Sequence, residues 1–312
     1  GITLDDQIAS MREQNARGAN IVAQIALRGN GILMGWQATF HPFSFKPSWE
    51  AIAELPWDEQ LTHLRDPAFR ARLIAEESEY PESDVRFLVE LMGTAWQLLY
   101  EMGDGFNYEP TAEESLQAGA ERAGVSGAEY AYEVLMRDEG RGFIYVPVLN
   151  YMDGNLDFLE PLQRSGDTVN SLSDGGAHCG TICDAASPTF MLEHWVRDRH
   201  QGRLELPLAI KRQCRDTALL YGLEDRGLLA PGYLADVNVI DMGGIKLHRP
   251  WLAFDLPAGG KRLLQKADGY EVTIKSGEVT FRGGVMQGPT PGGVIRGAQA
   301  APGTRAVDAS AG

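Results

Sequence analysis

A chain of 312 residues, 44% hydrophobic and 23% charged, has the profile of a folded globular protein, with room for one large α/β domain and a smaller companion. Its 28 basic and 43 acidic residues give a net charge of −15, which argues against nucleic acid or an anionic membrane surface as partner. No apolar run reaches membrane-spanning length, and three cysteines (Cys179, Cys183, Cys214) leave an odd thiol and no disulfide framework, pointing to a reducing, cytoplasmic setting.

The chain shows no initiator Met and no signal peptide, and residue 1 falls just before a helix, as though cut from something longer. Thr3 caps that helix, with Asp5 and Asp6 in its first turn and Gly18 beyond its end. Residues 20–27 are apolar almost throughout and read as a strand of a parallel sheet, covered on both faces. Arg28 follows at the tip of that strand, placed either to grip a substrate carboxylate or to serve the structure.

From about residue 32 to 142 the strand–helix alternation stops. Trp36, Phe40, His41, Phe43, Phe45, Trp49 and Trp57, interrupted by prolines, form an excursion packed by its own aromatics, of the kind that serves as a lid or binding loop. Within it His41 reads as a packed histidine rather than a substrate group. Residues 58–76 read as a charged helix broken near Pro67, residues 83–100 as a second helix. Capping boxes at Thr111/Glu114 and Ser126/Glu129 open two more.

Alternation resumes at 143–149, a buried strand whose polar tip carries Asn150 and Tyr151, candidate substrate contacts. A short helix over 155–165 leads to a strand over 169–173, which ends at Asp174 in a glycine-rich turn. A carboxylate at the C-terminal tip of such a strand stands where α/β folds collect catalytic groups, and the glycines allow close approach. Asp174 by itself is equally an ordinary turn residue bonding its own backbone. His178 stands four positions on, either orienting Asp174, donating to a developing oxyanion, or capping the next helix. Cys179 and Cys183 read as packed thiols rather than zinc ligands, since a second ligand pair is missing. His194 and His200, six apart on the amphipathic stretch 189–200, do not share a helix face and are not taken as ligands. A compact part begins near Arg226, with an alternating strand before Asp241 and a hairpin over 270–281 turning at Ser276-Gly277. Beyond Gly283, Gly, Pro and Ala dominate, as in an extended or disordered tail.

Three stretches carry a resemblance: Ser173-Asp-Gly-Gly-Ala-His178, Cys183-Asp-Ala-Ala-Ser-Pro188, and the run from Arg226 through Pro231-Gly-Tyr-Leu-Ala-Asp236 to Asp241. Together they resemble the N-acyl-D-amino-acid deacylase (D-aminoacylase) group of the amidohydrolase superfamily, over nearly the whole chain. The resemblance implies an α/β fold: a TIM-type β/α barrel with a small β-sandwich built from both chain ends. It also implies zinc-dependent hydrolysis of an N-acyl amino acid, with Asp174 at the eighth strand touching the metal or its water and carrying the proton.

The departure is as informative. The family's His-x-His, its Cys, Glu or Lys bridge and its two later histidines are absent, and the six histidines of this chain contain no His-x-His pair. The chain therefore corresponds to the back half of such an enzyme. The expected architecture is a partial barrel over 1–225 with an insertion at 32–142, a β-subdomain over 226–297, and a flexible tail over 298–312. Alone it is expected to be inert, since one Asp does not hold a catalytic zinc. Activity would need the missing barrel half, from an unseen segment or a second chain, in an oligomer. Two alternatives stand beside this: an amidohydrolase for a cyclic or other amide, and a non-catalytic subunit or assembly domain that completes a partner chain or presents the aromatic excursion as an interface.

Overall fold

The computed structural model describes residues 3–82, 86–151, 153–171, 179–288 and 290–303. Helix α1 (Leu4–Ala16) starts as its sequence dictates: Thr3 Oγ1 accepts from Asp6 N–H while the Asp6 carboxylate accepts from Thr3 N–H. Gly18, at φ +99°, turns the chain out of it. Strand β1 (Ala23–Ile25) follows and pairs in parallel with β5 (Thr168–Asn170). Helix α8 (Leu159–Arg164) packs on both strands, so among the described residues this pair is what stands for the expected barrel. The result is a mixed α/β fold.

Between β1 and β5 the chain makes its excursion. It opens with β2 (Asn30–Met34) and closes with β4 (Ile144–Leu149), and these two pair antiparallel, with the short β3 (Tyr100–Glu101) on the other side of β4. Here the sequence reading needs correction. The sequence reads the apolar run at 143–149 as a strand joined to the next one, at 169–173, through a short helix; it belongs instead to an antiparallel sheet. Its apolar pattern suits either pairing, and the partner that decides the matter lies more than a hundred positions away.

The helices of the excursion are α2 (Pro47–Glu50), α3 (Trp57–Arg65), α4 (Pro67–Ala75), α5 (Arg86–Thr94), α6 (Leu116–Ala123) and α7 (Gly127–Gly140). Pro67 does break the charged segment: Asp66 ends α3 in extended conformation and caps α4. The box at Thr111/Glu114 forms but closes only a single 3₁₀ turn, and Ser115 caps the helix proper. Trp36, Phe43 and Trp49 are buried with Tyr132, Leu64 and Ile144 in one core. Each such side chain contributes roughly 2–3 kcal/mol by leaving water. Trp36, Phe43 and Trp49 are therefore spent on the interior, while Phe40, Phe45 and Trp57 are half-buried. His41 is wedged edge-on between Trp36 and Trp49, at 4.5 and 4.3 Å, and burial with the nearby Lys261 charge pushes it down to about 3.

After β5, helix α9 (Ser187–Phe190) continues in wider π-type turns over Met191–Asp198, and α10 (Leu206–Lys211) and α11 (Thr217–Leu220) follow. The C-terminal part is β-rich. Strand β6 (Val237–Ile240) lies beside β11 (Tyr270–Lys275), which forms the expected hairpin with β12 (Glu278–Arg282), and β13 (Val285–Met286) closes the sheet. Ser276 and Gly277, at φ +53° and +85°, make the mirror-image turn that matches strand twist. Two further pairs, β7 (Lys246–Leu247) with β10 (Ala267–Asp268) and β8 (Trp251–Ala253) with β9 (Arg262–Leu264), face the excursion. Gln299, placed in the expected tail, donates to Gly222 C=O and accepts from Glu224 N–H, so the chain is tied down there. No helix among the described residues is long and apolar enough to cross a membrane.

Candidate active site

Because β1 and β5 run the same way, their C-terminal tips lie side by side. Ser171 N–H donates to Ile25 C=O at 2.9 Å across them. Leaving β1, the chain is fixed carbonyl by carbonyl: Leu27 accepts from the Trp195 indole at 2.7 Å and Gly29 from the Tyr145 hydroxyl at 2.9 Å. Gly31 has no alternative, since a Cβ there would come within 2.1 Å of the Tyr145 ring. A buried backbone this fully bonded is a rigid platform.

Asp174 and His178, the expected proton carrier, metal contact and neighbouring histidine, lie outside the described residues, as do all of 172–178. The expected substrate contacts are described. Arg28 is 1% exposed, and its Nη2 donates to Cys183 C=O at 2.6 Å and to Asp184 Oδ1 at 2.9 Å. The guanidinium lies on the Tyr108 face, 3.5 Å from the ring centroid. Burial opposes its charge, but Tyr108 and Asp184 outweigh burial and hold its pKa above the ordinary arginine value. Tyr151 is buried too, its hydroxyl donating to Pro110 C=O at 2.6 Å, and burial drives its pKa upward. Asn150 is half-buried at φ +61° in the turn after β4. Tyr151 is thus engaged by the protein itself and Arg28 through Nη2 alone, whereas Asn150 is half-buried. The excursion brings Asn150 next to the start of β2, through the pairing of Asn30 with Leu149, rather than beside the tip of β5.

Could these residues hold a zinc ion? Around the two strand tips, the buried polar atoms lacking a hydrogen-bond partner belong to Arg28, Asn30, Asn170, Thr181 and Ser187: guanidinium, amide and hydroxyl groups. Zinc sites want thiolate, imidazole and carboxylate. Among the described residues no group of three or more His, Cys, Asp or Glu is placed to hold a metal. Cys183 is buried and its thiol is pushed up to about 11, which leaves it a poor ligand and nucleophile. The described donors do not fit the metal that the family resemblance implies.

A second polar centre escaped the sequence reading. Glu109, from the excursion, takes Arg199 side-on, Oε2 from Nε and Oε1 from Nη2, both at 2.9 Å. Its Oε1 also accepts from Leu156 N–H, its Oε2 meets His194 Nε2 at 2.5 Å, and Arg199 Nη2 reaches Asp157 at 2.5 Å. Arg199 lies over Trp195 and His194 stacks on Phe190. Burial raises the Glu109 carboxyl, but the hydrogen bonds from Arg199, His194 and Leu156 win and bring it down to about 2. A carboxylate so saturated is not a general base; it is a joint fastening the excursion to the segment after α9. The joint borders a cleft of about 500 Å³ that Phe106, Glu114, His200 and Lys246 also line. Its only sequence signal was an acid within an aromatic stretch, whose partners stand 85 and 90 positions on.

This mixed α/β chain belongs to the amidohydrolase family, whose model matches residues 7–281. Solved structures similar to it include D-aminoacylases. A D-aminoacylase described for one-metal activation and second-metal attenuation of its binuclear centre is 17% identical, with a TM-score of 0.38 over 92% of this chain and 51% of that one. The D-aminoacylase structure that defined a novel subset of amidohydrolases gives the same figures. A mutant D-aminoacylase with copper chloride is 18% identical, with a TM-score of 0.36 over 74% of this chain and 44% of that one. The chain spans about half the length of these structures. No curated protein matches it.

Proposed function

We propose that this chain is the acid-bearing back half of an enzyme that hydrolyses the amide bond of N-acyl amino acids of D configuration, with zinc. The observation that carries the reading is the family match spanning both parallel strands, with Ser173-Asp-Gly-Gly-Ala-His178 immediately after β5. Amide hydrolysis at neutral pH needs a group that takes a proton from the attacking water and returns it to the leaving nitrogen. Asp174 is that group in this reading, with His178 as its neighbour. In this reading the zinc ligands would come from chain outside these 312 residues or from a second polypeptide, because the sequence holds no His-x-His pair.

The test is hydrolysis of an N-acetyl-D-amino acid and bound zinc, measured on this chain alone and with a polypeptide supplying His-x-His. The chain alone should neither turn over nor hold stoichiometric zinc, and the combination should do both. In the active form Asp174→Asn should lower kcat by roughly 10²–10⁴-fold. Turnover by the chain alone with one zinc bound, or an active Asp174→Asn variant, sinks the proposal. Preference for a cyclic amide over the acyl amino acid would keep the chemistry and replace the substrate.

A further inference from the structure

We infer that Arg28 is a positioning residue, tying the tip of β1 to the exit of the glycine-rich stretch. Both described ends of residues 171–184 then hang from one strand. The inference rests on the reading that this stretch carries the reacting acid.

The first end is fixed by backbone alone, through Ser171 N–H on Ile25 C=O. The far end is met by several segments: Cys179 C=O accepts from Leu263, Gly180 from Thr39 and Thr181 from Leu33. Arg28 completes the series three residues beyond Ile25, where its Nη2 bonds the carbonyl of Cys183 and the carboxylate of Asp184. Asp184 in turn accepts through its C=O from Ser187 N–H, at the start of α9. One side chain therefore joins a strand tip, the exit of the stretch and the next helix.

A surface arginine would make such contacts for little effect, and a buried ion pair is weak grounds for stability, since apolar residues of similar volume often do as well. Direction is what the pair supplies. Nη2 alone bonds two acceptors on adjacent residues while Tyr108 lies flat against the guanidinium, and among the described residues Nε and Nη1 have no hydrogen-bond partner; the shared nitrogen and the stacked ring together orient the 183–184 peptide. An arginine meant for substrate has to reach solvent. This one is 1% exposed, and its carboxylate partner is 6% exposed in its side chain.

Arg28→Lys, Arg28→Met and the double variant Arg28→Met/Asp184→Leu separate position from stability. Amide exchange is followed across the protein, and kcat and KM in the assembled active enzyme. In the double variant, exchange at residues 179–184 should rise by about tenfold while that of β11 and β12 stays put. In the same variant kcat should fall by about a hundredfold, the effect of a misplacement near 1 Å. KM should stay within about twofold, and Arg28→Lys should recover part of kcat. Unchanged exchange at 179–184 overturns the inference. So does a raised KM with kcat kept, which would make Arg28 a substrate contact. Should the double variant fail to fold, Arg28→Lys carries both measurements. Full activity in Asp174→Asn would remove the proposed function, while the exchange result still decides whether Arg28 anchors this segment.

Discussion

Glu109 shows how one residue can carry the connection between distant parts of a chain. It is half of a side-on ion pair with an arginine 4% exposed in its side chain, so removing either partner strips the other of its main counter-charge, leaving Arg199 with Asp157 and Gln201 C=O and Glu109 with His194 and Leu156 N–H. Glu109→Gln should cost about 3 kcal/mol, read as a lowered urea midpoint at neutral pH. The pH dependence has a definite sign. The folded carboxyl titrates at about 2, below its ordinary 4.5, so its contribution is complete above about 4.5 and is lost as pH falls towards 2. Across that window the parent should lose more stability than Glu109→Gln does, and equal losses would show that the joint does not hold. The sequence offered little here. His194 was weighed only against His200 on its own helix, while its real partner lies on another element. By contrast the Thr3 cap, the break at Pro67 and the Ser276-Gly277 turn were legible because their causes stand within a few positions.

At the scale of elements, the sheet of β2, β4 and β3 lies behind the strand tips and its packing leaves no slack. Gly31→Ala would drive a Cβ into the Tyr145 ring at 2.1 Å and towards Val146 C=O at 2.7 Å. The ring cannot swing away without giving up its bond to Gly29 C=O. We expect a loss of about 1–3 kcal/mol, seen as a lower denaturation midpoint with an unchanged slope. No change would mean that Tyr145 has room the packing does not show. The sheet was the least legible part of the fold. Residues 30–34 are short and begin with Asn-Gly, and residues 143–149 contain Pro147. A hydrophobic run tells that a strand is buried, but not which strand it meets or in which direction. Helices of the excursion could be read because capping and periodicity are local properties.

For the molecule as a whole, the family was legible in short runs of fixed order: Ser173-Asp-Gly-Gly-Ala-His178, Cys183-Asp-Ala-Ala-Ser-Pro188 and the Gly-Tyr-Leu-Ala-Asp run before β6. The metal ligands were not, because the family's ligand motifs do not occur among these residues. Purified from its natural source, the protein should therefore copurify with a polypeptide that bears a His-x-His pair, or be joined to one. Size-exclusion chromatography followed by peptide mapping would show it. Recovery of an active species containing these residues and no such pair would contradict this account.

The pairing of Asn30 with Leu149 also has an evolutionary consequence. The excursion departs and returns through neighbouring positions, so it resembles a cassette plugged into the scaffold by two adjacent pins. Recombination could exchange everything between those pins without altering the gap that the scaffold must bridge. Grafts that keep Asn30, Leu149 and the Glu109 fastening would then redesign the excursion while β1 and β5 stay as they were.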